Sequence, residues 1–173
     1  MDSIRPAPQD YAPFYETYIR LVGPGPIAEI LHGQLAGTLS LLTTLSEAQA
    51  NHAYAPGKWT VKQMVGHVID TERVFAYRLL RAARGDDSTP LAGYDDERWA
   101  ATWAVDGLAL AALAEEWQAV RTSNVFLLRH LSEADWDRRV TANGASFTVR
   151  ALAYAIAGHE LHHRNLLTSR YLA

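Results

Sequence analysis

The stretch Thr60-Val61-Lys62-Gln63-Met64-Val65-Gly66-His67-Val68 starts a helix, and the organisation of the chain can be worked outward from it. Thr60 offers a hydroxyl to the amide hydrogens left unpaired at a helix start. Gln63, three residues on, can return the bond, which is the capping-box pattern. Beyond it Met64, Val68, Phe75, Leu79 and Leu80 recur at helical spacing, so this second long helix runs to a stop near Gly85. Upstream, Ile27, Ile30, Leu31, Leu35, Leu39, Leu42 and Leu45 mark a first long helix. Downstream, Asp106 is expected to cap a third, with Leu110, Leu113, Trp117, Val120, Asn124, Leu127 and Leu131 as its stripe. Asn143-Gly144 is a turn signal for a small hairpin between Val140 and Phe147. Thr148 then opens a last helix, through Leu152, Ile156, Leu166 and Leu167 almost to Ala173.

Four amphipathic helices, with no alternation long enough for a sheet, predict an all-α four-helix bundle. The loop between helices two and three is long by bundle standards, and long loops in compact domains are often functional. Residues 26–173 form the bundle in this reading. Residues 1–25 form an N-terminal arm, because prolines crowd there, and Tyr11, Phe14, Tyr15 and Tyr18 can pin the arm to the body. The chain's 173 residues suit one domain. A net charge of −3 lacks the basic excess of a phosphate-tracking surface, so no nucleic-acid partner is expected. No apolar run approaches a membrane span, and Met1-Asp2-Ser3-Ile4-Arg5-Pro6 is no secretory leader, so the expected address is the cytoplasm. With no cysteine, thiolate ligation and a cysteine nucleophile are excluded, and any metal must be held by imidazole, carboxylate or carbonyl groups.

Seven histidines are present, and the dense group is Gly158-His159-Glu160-Leu161-His162-His163. Residues four apart share a helix face about one turn, ~6 Å, apart, so two imidazoles so placed can reach one ion. His159 and His163 are in register with Leu152, Ile156 and Leu166 and point inward, whereas His162 is in register with Gly158, Asn165 and Ser169 and points outward. His67, beside the apolar stripe of helix two, is the best third ligand. A lone inward histidine is usually a satisfied core residue, but three on two facing helices favour a metal. His32, His52 and His130 have no comparable placement. The same stretch spells H-E-x-x-H, a zinc protease pattern, but only ten residues follow His163 and none is His, Asp or Glu. The protease reading is therefore weak.

Two blocks resemble the DinB/YfiT-like superfamily of metal-binding four-helix bundles. Lys58-Trp59-Thr60 through His67 is similar to that family's entry to helix two, and His159-Glu160-Leu161-His162-His163 to its H-x-x-H-H stretch in the last helix. The resemblance implies a three-histidine site at His67, His159 and His163, usually holding zinc or nickel with open positions for water. It also implies a small-molecule substrate. Some members are thiol-dependent transferases or isomerases using bacillithiol, mycothiol or glutathione, and others are assigned as hydrolases.

The expectation from sequence is a metal-dependent enzyme with one divalent ion, of thiol S-transferase or hydrolase type. Any thiolate must arrive as a low-molecular-weight co-substrate, since the chain has none. The alternative is a non-catalytic metal-binding or stress-response bundle whose ion is structural. Asp70 and Glu160 are read as solvated helix-face carboxylates in preference to proton carriers. Tyr94, Trp99 and Trp103 either wall a pocket or plug the core. Arg78 and Arg81 either neutralise a carboxylated co-substrate or lie on an exposed face. A homodimer suits such bundles, but no interface is written in the sequence, and no catalytic residue is assigned.

Overall fold

A computed structural model describes residues 4–172. The first three residues of the expected arm and Ala173, to which the last helix was expected to run, lie outside the described residues. The helices are α1 (Glu16–Ile19), α2 (Ile27–Leu42), α3 (Glu47–Ala50), α4 (Val61–Ala83), α5 (Asp96–Thr102), α6 (Leu110–Arg129) and α7 (Val149–Leu166). Strands β1 (Arg139–Ala142) and β2 (Ala145–Thr148) form an antiparallel hairpin between α6 and α7. No helix among the described residues is long and apolar enough to cross a membrane.

The four long helices are α2, α4, α6 and α7. Both α4 and α2 pack against α6 and α7, so the order around the bundle is α2, α6, α4, α7. Consecutive long helices α2 and α4 are thus diagonal, and so are α6 and α7. That arrangement needs long connections, and the chain supplies them: residues 43–60 before α4 and the hairpin before α7. Tight antiparallel neighbours would have needed only a few residues.

Local chemistry fixes the helix ends. Thr60 accepts a hydrogen bond from the Gln63 amide at 3.1 Å, and Gln63 Oε1 accepts one from the Thr60 amide, closing the capping box of α4. Thr148 likewise caps α7 by accepting from the Ala151 amide. The third helix differs from expectation. Asp106 lies in a short 3₁₀ turn, Val105–Gly107, and Ala109 stands at the N-cap of α6 without a side-chain bond. The Glu47 carboxylate, reaching over from α3, accepts from the Leu110 amide instead. The first helix also stops at Leu42, short of Leu45, and α7 passes at Leu167 into a wider π-type turn.

Asn143 (φ 49°) and Gly144 (φ 74°) both adopt left-handed backbone, as the two central residues of a tight hairpin turn require. The hairpin holds the loop after α4. The Leu91 amide donates to the Thr141 carbonyl and the Asn143 amide to the Leu91 carbonyl, each at 2.9 Å. The N-terminal segment packs on the bundle, with Tyr11, Ile19 and Val22 buried beside Leu31, Phe75 and Ile156.

The core has two apolar clusters, one around Phe75, Leu128 and Leu152 and one around Met64, Leu113 and Trp117. A buried polar layer draws on all four long helices. Arg121 of α6 pairs with Glu72 of α4 (2.7 Å) and Glu160 of α7 (2.8 Å), and Thr38 of α2 donates to Glu160 Oε1 at 2.6 Å. Trp117 Nε1 and Asn124 Nδ2 donate to the remaining positions on Glu72. Glu160 is 0% exposed, which corrects its reading as a solvated carboxylate. Asp70 is half-buried and paired with Arg73 at 3.3 Å.

Candidate metal centre

Helix α4 delivers His67 and α7 delivers His159 and His163, one turn apart on the face that meets α4. The three side chains converge. Nε2 of His159 lies 3.1 Å from Nε2 of His67 and 3.1 Å from Nε2 of His163, and one nitrogen from each ring falls within 4.8 Å of the others. All three residues are buried. His162 is half-buried outside the cluster, with its ring edge-on to Tyr18. His32, His52 and His130 are exposed, in keeping with their lack of placement in the sequence.

The cluster cannot satisfy itself. A neutral imidazole nitrogen carries either one hydrogen or one lone pair, so Nε2 of His159 can serve only one of its two neighbours. Protonation is no remedy. Burial pushes the His67 pKa down to about 4, and burial with repulsion from neighbouring histidines pushes His159 and His163 well below the usual range. Three neutral imidazoles aiming nitrogens at one point suit a cation. Two nitrogens bound tetrahedrally at the usual zinc distance would stand about 3.3 Å apart, close to the 3.1 Å separations here. The layer beneath adds support: Glu72 and Glu160 outnumber Arg121, leaving a formal negative charge next to the His159 turn.

Aromatic rings hold the imidazoles in place. Trp59 lies 4.6 Å from the His67 ring and Tyr18 packs edge-on at 5.2 Å from His159. Gly158 makes the second contact feasible. A Cβ there would meet the Tyr18 backbone, so only glycine lets α1 lie this close to α7. Gly66, one residue before His67, similarly gives room to the Trp103 ring. Trp103 therefore packs on the core. Tyr94 instead walls a cavity, its hydroxyl sharing a 2.8 Å hydrogen bond with Thr71, and Trp99 packs against its outer side.

Two cavities with no lining residue in common reach the histidines. One, of about 160 Å³, runs over His67 and His159 between Tyr15, Phe75, Tyr94 and Arg78. The other, of about 180 Å³, reaches His163 past Trp59 and Tyr171. Arg78 is buried at the far end of the first, whereas Arg81 stays partly exposed and pairs with Asp86. The Arg121–Glu72–Glu160 layer was not anticipated from sequence. Its signal was an arginine four residues after Trp117 on an otherwise apolar stripe, where Val120 was read as the inward residue.

Comparison with known proteins fits this geometry. The sequence profile described as the DinB superfamily matches residues 30–167. Two curated proteins of Oceanobacillus iheyensis are similar. "Putative metal-dependent hydrolase OB0782" is 27% identical over 126 residues, 72% of each chain, and "Putative metal-dependent hydrolase OB0413" is 24% identical over 123 residues, 70% of each. A "Putative metal-dependent hydrolase" of Geobacillus thermodenitrificans is 25% identical over 69% of this chain and 67% of its own. Among solved structures, YfiT from Bacillus subtilis, described as "a probable metal-dependent hydrolase with an unusual four-helix bundle topology", superposes with a TM-score of 0.63 at 17% identity. That match covers 89% of this chain and 86% of YfiT.

Proposed function

The chain belongs to the DinB superfamily, and on that footing we propose that it is a metal-dependent hydrolase of small molecules, holding one zinc or nickel ion through His67, His159 and His163. The observation that carries this reading is the convergence of three buried imidazoles, with Nε2 of His159 3.1 Å from Nε2 of both His67 and His163, where His67 and His159 line an open cavity. Imidazole is a suitable ligand for both metals. Three protein ligands and a cavity above them match the open arrangement of catalytic sites, as distinct from the closed four-ligand shell of structural ones.

When bound, such an ion supplies Lewis acidity for activating water and polarising a carbonyl. The chain's own part is to position and to exclude. The Trp59 and Tyr18 rings fix two imidazole planes, Tyr94 and Phe75 narrow the approach, and the Thr71–Tyr94 pair presents a hydroxyl beside the cavity. Glu160 takes no part in proton transfer, since Thr38 and Arg121 engage its two oxygens. Thiol transfer is the second reading. The separate cavity that reaches His163 favours it, because it would admit a thiol co-substrate without passing through the first reactant's cavity.

The test is metal content of the untagged protein by mass spectrometry, with His67→Ala, His159→Ala and His163→Ala, and His162→Ala as control. About one ion per chain, lost in the three variants and retained in the control, is expected. Ester and amide hydrolysis, and thiol consumption with small electrophiles, are then compared in the loaded protein. A wild-type chain that takes up neither zinc nor nickel overturns the reading.

A further inference from the structure

Arg78 is a buried guanidinium without a carboxylate beside it. It is 2% exposed, and no ion pair to it occurs among the described residues. Its Nη2 donates to the Ala92 carbonyl at 3.1 Å, and its Cζ lies 5.8 Å from the Phe75 ring and 5.9 Å from the Tyr94 ring. Those contacts offset only part of the cost of burying a charge, which normally demands a paired anion. Arg121, equally buried, has two carboxylates. Besides the Ala92 carbonyl its only polar neighbour among the described residues is the Tyr15 hydroxyl, a neutral group, and the guanidinium lines the cavity that holds His67 and His159 at its other end.

We propose that Arg78 anchors a carboxylate of the ligand, so that this cavity takes a small monocarboxylate with an apolar or aromatic body whose far end lies over His67 and His159. The inference names the substrate class of the proposed hydrolase and rests on that reading for what happens at the far end. Several features set the class. The planar fork of arginine matches a carboxylate through two parallel hydrogen bonds. Among the described residues no second cationic side chain lines the cavity, and Asp96, exposed on its wall, adds negative charge, so the Arg78 end favours a monoanion over phosphate. The walls between the two ends are the rings of Tyr15, Phe75 and Tyr94. A cavity of about 160 Å³ is the size that holds one benzene-like body. Phe75 sits midway, 6.1 Å from the His159 ring and 5.8 Å from Arg78 Cζ, so the two ends lie within the sum of these distances.

The probe is phenylacetate, with the uncharged phenylacetamide and inorganic phosphate beside it. Binding is measured by calorimetry to the metal-free and zinc-loaded full chain. Phenylacetate is expected to bind both forms, with phenylacetamide about 10- to 100-fold weaker, the usual weight of a charge-assisted pair. Arg78→Met should bring phenylacetate down to the amide's affinity without changing metal content, and Arg78→Lys should fall between. Equal binding of acid and amide overturns the assignment, as do no binding of phenylacetate to folded wild type and tighter binding of phosphate to the metal-free chain. The acid–amide comparison is made on wild type, so it decides even if Arg78→Met fails to fold. The two readings fail separately. Discrimination that persists in a chain unable to hold metal sinks the hydrolase and spares the anchor, whereas a chain that holds its ion and ignores the carboxylate does the reverse.

Discussion

Gly158→Ala separates intrinsic helix preference from packing, because the two predict opposite signs. Gly158 lies in the interior of α7, one residue before His159. On propensity alone, alanine there should stabilise the helix by about 0.8–1 kcal/mol. The structure says otherwise. The new Cβ would stand 3.0 Å from Tyr18 Cα and closer still to the Tyr18 carbonyl, and the obstacle is backbone, which cannot rotate aside. α1 must therefore retreat by about 1 Å, a gap at which its packing contacts lose a quarter to a half of their well depth. Ile19 is 0% exposed and Val22 3%, so that loss falls on core side chains. Overpacking of this kind costs about 1–3 kcal/mol, and in this case the upper half applies because the obstacle is rigid. With propensity subtracted, the net expectation is a destabilisation of about 1–2 kcal/mol, or roughly 2–8 °C in Tm for a chain of this size. Urea titration and calorimetry of the metal-loaded protein measure it. The Tyr18 ring lies 5.2 Å from His159, so near-ultraviolet circular dichroism should change with it. An unchanged or raised Tm would falsify the close approach of α1 to α7.

Further outcomes follow from single groups. Arg121→Met leaves Glu72 and Glu160 buried without their cation and should cost about 3–5 kcal/mol in urea unfolding, the usual result of breaking a buried pair; a loss below 1 kcal/mol would show that the layer is not dry. Thr60→Ala removes the α4 cap and should cost about 1 kcal/mol with the ion retained. In the chelated protein, burial holds His67 near 4 while the unfolded chain titrates near 6.5. The unfolded state therefore binds the extra protons between those values. Stability is full above pH 6.5 and declines as pH falls toward 4, by at most about 3 kcal/mol from this residue. Urea midpoints at pH 7.5, 5.5 and 4.5 check this, and a flat profile in the chelated protein contradicts a buried neutral His67.

The fold was legible where periodicity and caps agree. Thr60, Gln63 and Thr148 satisfy unpaired amides with their own side chains, so the starts of α4 and α7 are local facts that a sequence can carry. The start of α6 is not. Glu47, more than sixty residues upstream, accepts from the Leu110 amide, and nothing near Asp106 announces it. Bringing His67 next to His159 and His163 was legible because all three sit on inward stripes, and stripes on different helices of one bundle must meet. The polar layer was not legible. Glu72, Arg121 and Glu160 stand four residues after Val68, Trp117 and Ile156, in register with apolar stripes, but a charged side chain reads as solvated, and only their mutual pairing across three helices makes burial tolerable.

Glu160 shows how far a short motif depends on this third dimension. In H-E-x-x-H enzymes the glutamate must sit beside the reacting water while two histidines hold the ion. Here His159 and His163 turn toward α4, and Glu160, one residue further round α7, turns toward α2 and α6. Thr38 and Arg121 take its two oxygens, and its side chain has no exposure. The same five letters therefore place the carboxylate behind the imidazoles, where it tethers the helix that carries them. The third histidine arrives from α4, ninety-two residues before His159, in place of a downstream ligand. On the proposed reading, polar groups for the reaction come from the cavity walls, which offer Thr71 with Tyr94 near the histidines and Arg78 at the far end.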